Sequence, residues 1–248
     1  MPTGWKTKNR GKLTDAPYTA RQLAELAVSE ALWAIDWQLR YPGDVEPMDW
    51  RVPAGAWRHG PMTPIEAVMA IAQACGGVAV PARAARSITI RYAHPTPRWN
   101  WPATTPDATL APSRLYRVAG GFDPAEEYDK VYVFGEAGGV AAGVKRAGFA
   151  GNKPAPTIID PLVTHADCAR ERGRQILSGS GNRLDVTVEA PFHDTAQGLT
   201  PIWPGLLVEV QETPPWRGLS TAISITLDRQ AEGAPLTATQ TITLERAE

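Results

Sequence analysis

The stretch from Thr164 to Ala190 constrains this chain most, because its hydrophobic period changes once, across a pair of glycines. Up to Ser178, Ala166, Ala169, Gly173, Ile176 and Leu177 recur at helical spacing as a narrow face, with Arg170, Glu171, Arg172 and Arg174 mostly off it. Thr164 is placed to cap this helix, and Asp167 sits in its first turn. Gly179 and Gly181 supply the backbone freedom that ends it. From Arg183 the period becomes two. Leu184, Val186, Val188 and Ala190 point one way, and Arg183, Asp185, Thr187 and Glu189 the other, as in a half-buried antiparallel strand. A helix that delivers the chain into a sheet predicts that the residues after it continue that sheet.

The remaining pattern agrees. Leu206, Val208 and Val210 make one strand. Leu219–Leu227 makes the next, with Ile223, Ile225 and Leu227 inward. Leu236, Ala238, Gln240, Ile242 and Leu244 alternate with Thr237, Thr239, Thr241, Thr243 and Glu245 in a last one. The segments TPPWRG (213–218) and AEGAP (231–235) read as turns. This predicts an antiparallel meander. With strands at 114–122, 128–135 and 140–146, the last two joined at Gly138-Gly139, it has enough strands to close a barrel and remove its edges.

The N-terminal part is separate in texture. Thr19 and Gln22 form a capping box for a helix to about Ala31, with Leu23, Leu26, Ala27 and Ala31 buried. Trp33, Ile35, Trp37 and Leu39 then alternate as a strand. It breaks at YPGD (41–44), and Trp50 and Val52 suggest a short partner. Thr63-Pro64-Ile65-Glu66 starts a second helix, with Ile65, Val68, Met69, Ala72 and Cys75 as its apolar face. Gly76-Gly77 stops it, and residues around Val78–Val80 and Ile88–Tyr92 form a hairpin. The predicted organisation is a flexible basic arm (1–13) and a small α+β domain (14–92). A Pro/Trp-rich crossing (93–112) then leads to a β-barrel domain (113–248) containing the central helix, 164–179. The fold class is β-rich α+β: an antiparallel β-barrel with a small α+β domain inserted in it or N-terminal to it.

A length of 248 residues allows one large or two small domains, and 43% hydrophobic content is enough for packed cores. A net charge of −1 argues against a protein whose main work is gripping nucleic acid. No apolar run approaches the ~20 residues of a membrane span. The opening MPTGWKTKNRGKL lacks the apolar core of a signal peptide, so synthesis in the cytosol and a soluble product are expected. The 23 prolines punctuate many short elements. The nine tryptophans (5, 33, 37, 50, 57, 99, 101, 203 and 216) fill cores or sit at interfaces.

Chemistry-bearing residues do not assemble into a reactive set. His59, His94, His165 and His193 share no spacing with carboxylates or thiols that reads as a site. His165 and Cys168 could meet on one helix face, but two ligands do not make a metal centre. Cys75 and Cys168 read as small buried hydrophobes. The run 135–143 is Gly-rich but lacks the lysine and following helix of a phosphate loop. No GxSxG motif is present. Glu126, Glu127 and Asp129 could supply a carboxylate pair, although turn neighbours are usually just solvated. Arg170, Arg172 and Arg174 could bind phosphate, pair with Asp167 and Glu171, or cross an interface. Trp99 and Trp101 suit either stacking on a sugar or pinning the Pro-rich crossing. Trp203, Trp216, Arg170 and Arg174 join them as residues of an interface or glycan platform. No catalytic residue, metal or cofactor is assigned, and the chain reads as a non-enzymatic scaffold.

Several stretches in order carry a resemblance: DWRVPAGA (49–56), TPIEAVMAIAQACGGVAV (63–80), SITIRYAHPTPRWNW (87–101), YDKVYVFGEAGGV (128–140), ARERGRQILSGSGNRLDVTVEAP (169–191), WPGLLVEVQE (203–212) and QTITLER (240–246). Together they resemble the baseplate or tail-tip hub proteins of tailed bacteriophages, across most of residues 20–246. The resemblance implies a structural protein of the virion with a barrel like that of the tail tube. It implies a homotrimer that joins the tube or distal tail protein to a tip or spike protein, with a tape-measure protein as a further candidate partner. It supplies no catalytic residues. The chain is short for such hubs, which implies one barrel plus the smaller domain, with the remainder on another polypeptide. Two other classes compete: a carbohydrate-binding module using Trp99 and Trp101, and a peptidoglycan hydrolase.

Overall fold

A computed structural model describes residues 14, 16–40, 46–58, 62–82, 84–136, 139–192, 200–229 and 237–247. The basic arm at 1–13, the turns expected at 41–44 and 231–235, Leu236, His59 and His193 lie outside the described residues. The chain is β-rich α+β, with several sheets and three α-helices among the described residues. Packing divides it into two units, 1–95 with 128–179, and 96–127 with 180–248.

In the first unit, helix α1 (Ala20–Val28) begins at the expected capping box. The Thr19 hydroxyl accepts from the Gln22 N–H at 3.2 Å, and the Gln22 side chain accepts from the Thr19 N–H at 3.0 Å. Helix α2 (Pro64–Ala74) begins the same way at Thr63 and Glu66, with Pro64 in its first turn. The two helices pack on each other, and each buries several small residues: Ala20, Ala24 and Ala27 on α1, and Ala67, Ala72 and Ala74 on α2. This turns the buried stripe of α2 toward Ala67, Val68, Ile71 and Ala72. Ile65 and Met69, expected inside, flank that stripe and are exposed, as is Leu26 on α1.

Strand β1 (Tyr18–Thr19) pairs with β3 (Arg51–Val52), so the short strand after Trp50 pairs with the residues before α1 and not with the strand at 33–39. That strand, β2 (Ala34–Trp37), lies parallel to β5 (Ser87–Tyr92), which forms the expected hairpin with β4 (Gly77–Pro81). Parallel pairing needs a crossover, and the link from β2 to β5 contains α2. Trp37 and Trp50 anchor this region, their indole N–H groups donating to the carbonyls of Met48 and Leu162, each at 2.8 Å.

The first unit also contains β8 (Lys130–Gly135), β9 (Ala141–Lys145) and β10 (Ile158–Asp160), with β8 in the centre. Helix α3 (Ala166–Ser178) packs on β8 and β9 over the buried Val131 and Val133. Gly173 makes that approach close: a Cβ there would lie 2.5 Å from Val144 Cγ2. The helix expected inside the barrel domain therefore belongs with the 130–145 hairpin, apart from the large sheet. Its N-cap is His165, whose Nδ1 accepts from the Asp167 N–H at 3.3 Å. Thr164, expected as the cap, donates instead to the Arg51 carbonyl at 2.7 Å.

The second unit is one six-stranded sheet. Strand β6 (Ala108–Leu110) lies parallel to β12 (Leu207–Val210). The sheet continues, antiparallel throughout, with β13 (Trp216–Asp228), β14 (Thr237–Ala247), β11 (Arg183–Pro191) and β7 (Arg117–Asp123). The first strand of the expected meander, β11, thus pairs with the last, β14. Trp216–Gly218, expected in a turn, opens β13. The core joins Leu110, Val186, Val188, Ile202, Val208, Val210, Trp216, Ile242 and Leu244. Leu207, Leu219 and Trp101 form a smaller cluster. Among the described residues the pairings make an open series with β6 and β7 at its ends, and the 130–145 hairpin is not part of it.

Candidate functional site

The six-stranded sheet leaves its apolar face exposed at two places, β7 and the outer part of β13, while Leu110 on the opposite edge strand β6 is fully buried. On β11, Val186 and Val188 are buried. Their neighbours on β7, Val118 opposite Val188 and Phe122 opposite Leu184, stand on the same face but are exposed at 42% and 54%. On the other side, β13 carries a bulge at Thr221. Beyond it Ile223 pairs with Ile242, Ile225 with Gln240 and Leu227 with Ala238. The expected inward face is therefore correct, but β13 runs past the end of the core, leaving Ile225 and Leu227 exposed. Among the described residues, β7 and the outer part of β13 thus present apolar side chains at the surface of the sheet.

The aromatic residues singled out from sequence separate into core and surface. Residues Arg98–Ala103 form a 3-10 turn, and Trp101 within it is 2% exposed, its indole donating to the Thr96 carbonyl at 3.0 Å. Trp101 therefore pins the Pro-rich crossing and offers no ring face for stacking. Trp216 is also buried, with its indole N–H on Glu212 at 3.0 Å and the Arg246 guanidinium over its ring at 4.9 Å. Trp99 is half-buried and Trp203 is exposed.

Trp101 and Trp216 share a cleft of about 380 Å³ with Arg98, Arg217, Arg246 and Glu209. Arg217 lines it, donating to the carbonyls of Trp101, Pro102 and Thr104 and pairing with Glu209 at 2.8 Å. Arg98 and Glu245 form a buried ion pair at 3.3 Å. Sequence reading overlooked these arginines because their partners lie far away along the chain.

The arginines of α3 take the structural option. Arg170 pairs with Asp167 at 2.6 Å, and Arg174 grips the buried Glu171 carboxylate while its guanidinium lies over the Tyr92 ring. Arg172 donates to the Gln73 carbonyl. Both thiols are buried, and burial pushes Cys75 up to about 12 and raises Cys168 as well. Neither is a thiolate at neutral pH. Asp129, read from sequence as a solvated turn acid, is buried and bonded by three backbone N–H groups. Among the described residues, no group of three or more His, Cys, Asp or Glu is placed to hold a metal ion. No helix among them is long and apolar enough to cross a membrane.

No family model matches the sequence, and no curated protein matches it. Solved structures do. The fold is similar to that of the tail protein from Neisseria meningitidis MC58, with a TM-score of 0.60 at 15% identity, covering 98% of this chain and 71% of that one. It is also similar to the 43 kDa tail protein of prophage MuSo2 from Shewanella oneidensis, with a TM-score of 0.54 at 18% identity. That match covers 94% of this chain, which spans 65% of its length. The fold of the chain is thus one found in phage tail proteins.

Proposed function

We propose that this chain is a structural, non-enzymatic component of a bacteriophage tail tip or baseplate hub, joining the tail tube to the distal tip or spike within the virion. The observation that carries the reading is the fold shared with two tail proteins along nearly the whole chain. The exposed apolar surfaces of β7 and β13 support it, since they suit a protein that works against neighbours. In this reading the open six-stranded sheet is completed into a barrel-like ring by adjoining chains. The copy number is three, as the resemblance to hub proteins implies.

Electron microscopy of the assembled particle tests the reading directly. The expected result is density for this chain on the tail axis, in three copies, between the tube and the tip. Six copies per ring would move it to the tube or distal ring, and an off-axis position would remove it from the hub.

A further inference from the structure

The edge strand β7 has a sequence complementary to itself. It reads Arg117-Val118-Ala119-Gly120-Gly121-Phe122-Asp123. Place two copies antiparallel and centred on Gly120. Arg117 of one then stands opposite Asp123 of the other, Val118 opposite Phe122, and Ala119 opposite Gly121. Opposite charges and apolar side chains are the cross-strand pairs that stabilise a sheet, and a two-fold axis repeats each pair once. We propose that the free chain pairs with a second copy of itself through β7, edge to edge, about a two-fold axis at Gly120.

Four observations converge on this strand. It is the end of its sheet, and Arg117 to Phe122 are all exposed. Its pairing with β11 runs from Asp123 to Arg117 without a register shift. It therefore lacks the bulges, prolines and lysines by which edge strands are normally blunted. Val118 and Phe122 lie on the core face, so self-pairing continues that face into the second copy and covers both side chains. Finally, its own fold does not require the glycines. A Cβ on Gly121 would meet nothing within 4 Å, one on Gly120 would only touch Leu184 and Val186 at 4.0 Å, and neither has a positive φ. Glycine weakens a strand interior, and it marks places where another backbone comes close. Asp123 already pairs with Arg183, but a carboxylate accepts from two guanidinium groups, and its side chain is 46% exposed.

The inference does not rest on the tail reading. It describes the chain before assembly, with an edge occupied by a like copy and withheld from other neighbours.

Analytical ultracentrifugation of the full chain tests it. The wild type sediments as a dimer. R117D sets like charges opposite each other at both ends of the contact and raises the dimer dissociation constant about tenfold or more. D123R does the same. An equimolar mixture of R117D and D123R restores opposite charges at both ends, so a heterodimer forms, which also shows that both variants are folded. G120C places the two new thiols on the axis, and mild oxidation gives a covalent dimer, whereas Cys75 and Cys168 are buried. A monomeric wild type with no G120C cross-link overturns the proposal. So does any oligomer, dimeric or trimeric, that R117D leaves unchanged.

Discussion

Asp129 and Lys153 are bonded reciprocally: the Asp129 N–H donates to the Lys153 carbonyl at 3.0 Å, and the Lys153 N–H donates to the Asp129 carboxylate at 2.8 Å. The same carboxylate accepts from the N–H groups of Gly151 at 3.0 Å and Asn152 at 3.1 Å. One side chain thus fastens the segment Gly151–Lys153, between β9 and β10, to the start of β8.

A pH dependence follows. Burial pushes the Asp129 carboxyl upward, but the three N–H donors more than reverse this and hold it below the ordinary aspartate value. A depressed folded-state value gives stability that is complete above the unfolded value and lost as pH falls through the folded one. The wild type should therefore lose part of its stability below about pH 4. D129N should be less stable at neutral pH and lose less on acidification. Urea unfolding of both proteins at pH 7 and pH 3 checks this. Parallel losses in the two would show that Asp129 is not the group responsible.

The capping box of α2 predicts a coupled pair. Glu66 accepts from both the N–H and the hydroxyl of Thr63, at 2.6 and 2.9 Å. T63A should cost about 1 kcal/mol, and E66A made on top of it should cost less than E66A alone. Strict additivity in urea unfolding would mean that the two side chains act independently.

That box was readable because cap and partner are three residues apart, as at Thr19. The start of α3 was displaced by one residue because the Thr164 hydroxyl is taken by the Arg51 carbonyl, 113 positions away. No local pattern contains such a contact, nor the Asp129 clamp. The same limit governed the large sheet. Alternation assigned the faces of β11, β13 and β14 correctly, but not which strands would be neighbours. Nor could it say where the core ends.

The sheet itself supplies a third prediction. Ile242 is fully buried and Leu227 is 59% exposed, although both lie on the core face. I242A should cost about 2–5 kcal/mol, from lost transfer energy plus the cavity left behind. L227A should stay within about 0.5 kcal/mol in the isolated chain. Equal effects of the two in urea unfolding would mean that the outer part of β13 is covered.

Gln240 gives the last prediction. It is fully buried opposite Ile225, and its amide bonds four backbone groups, two of them at 3.0 Å or less. Oε1 accepts from the Ile202 N–H at 3.0 Å, and Nε2 donates to the Pro191 carbonyl at 2.9 Å. Pro191 ends β11 and Ile202 lies within the connection that leads to β12, so this one side chain ties both to β14. Leucine has a similar size but leaves both backbone groups unsatisfied. An unmet buried group costs about 1–3 kcal/mol, so Q240L should lose about 2–4 kcal/mol despite being more apolar. Q240E separates the donor from the acceptor. It keeps an oxygen for Ile202, loses the bond to Pro191 when ionised, and buries a charge. Burial raises the pKa of a carboxyl, so the penalty should grow as pH rises above about 4.3, opposite in direction to the Asp129 effect. Urea unfolding of wild type, Q240L and Q240E at pH 5 and pH 7 measures both points. If Q240L matched the wild type, the two backbone groups would have other partners, and Gln240 would not hold the connection.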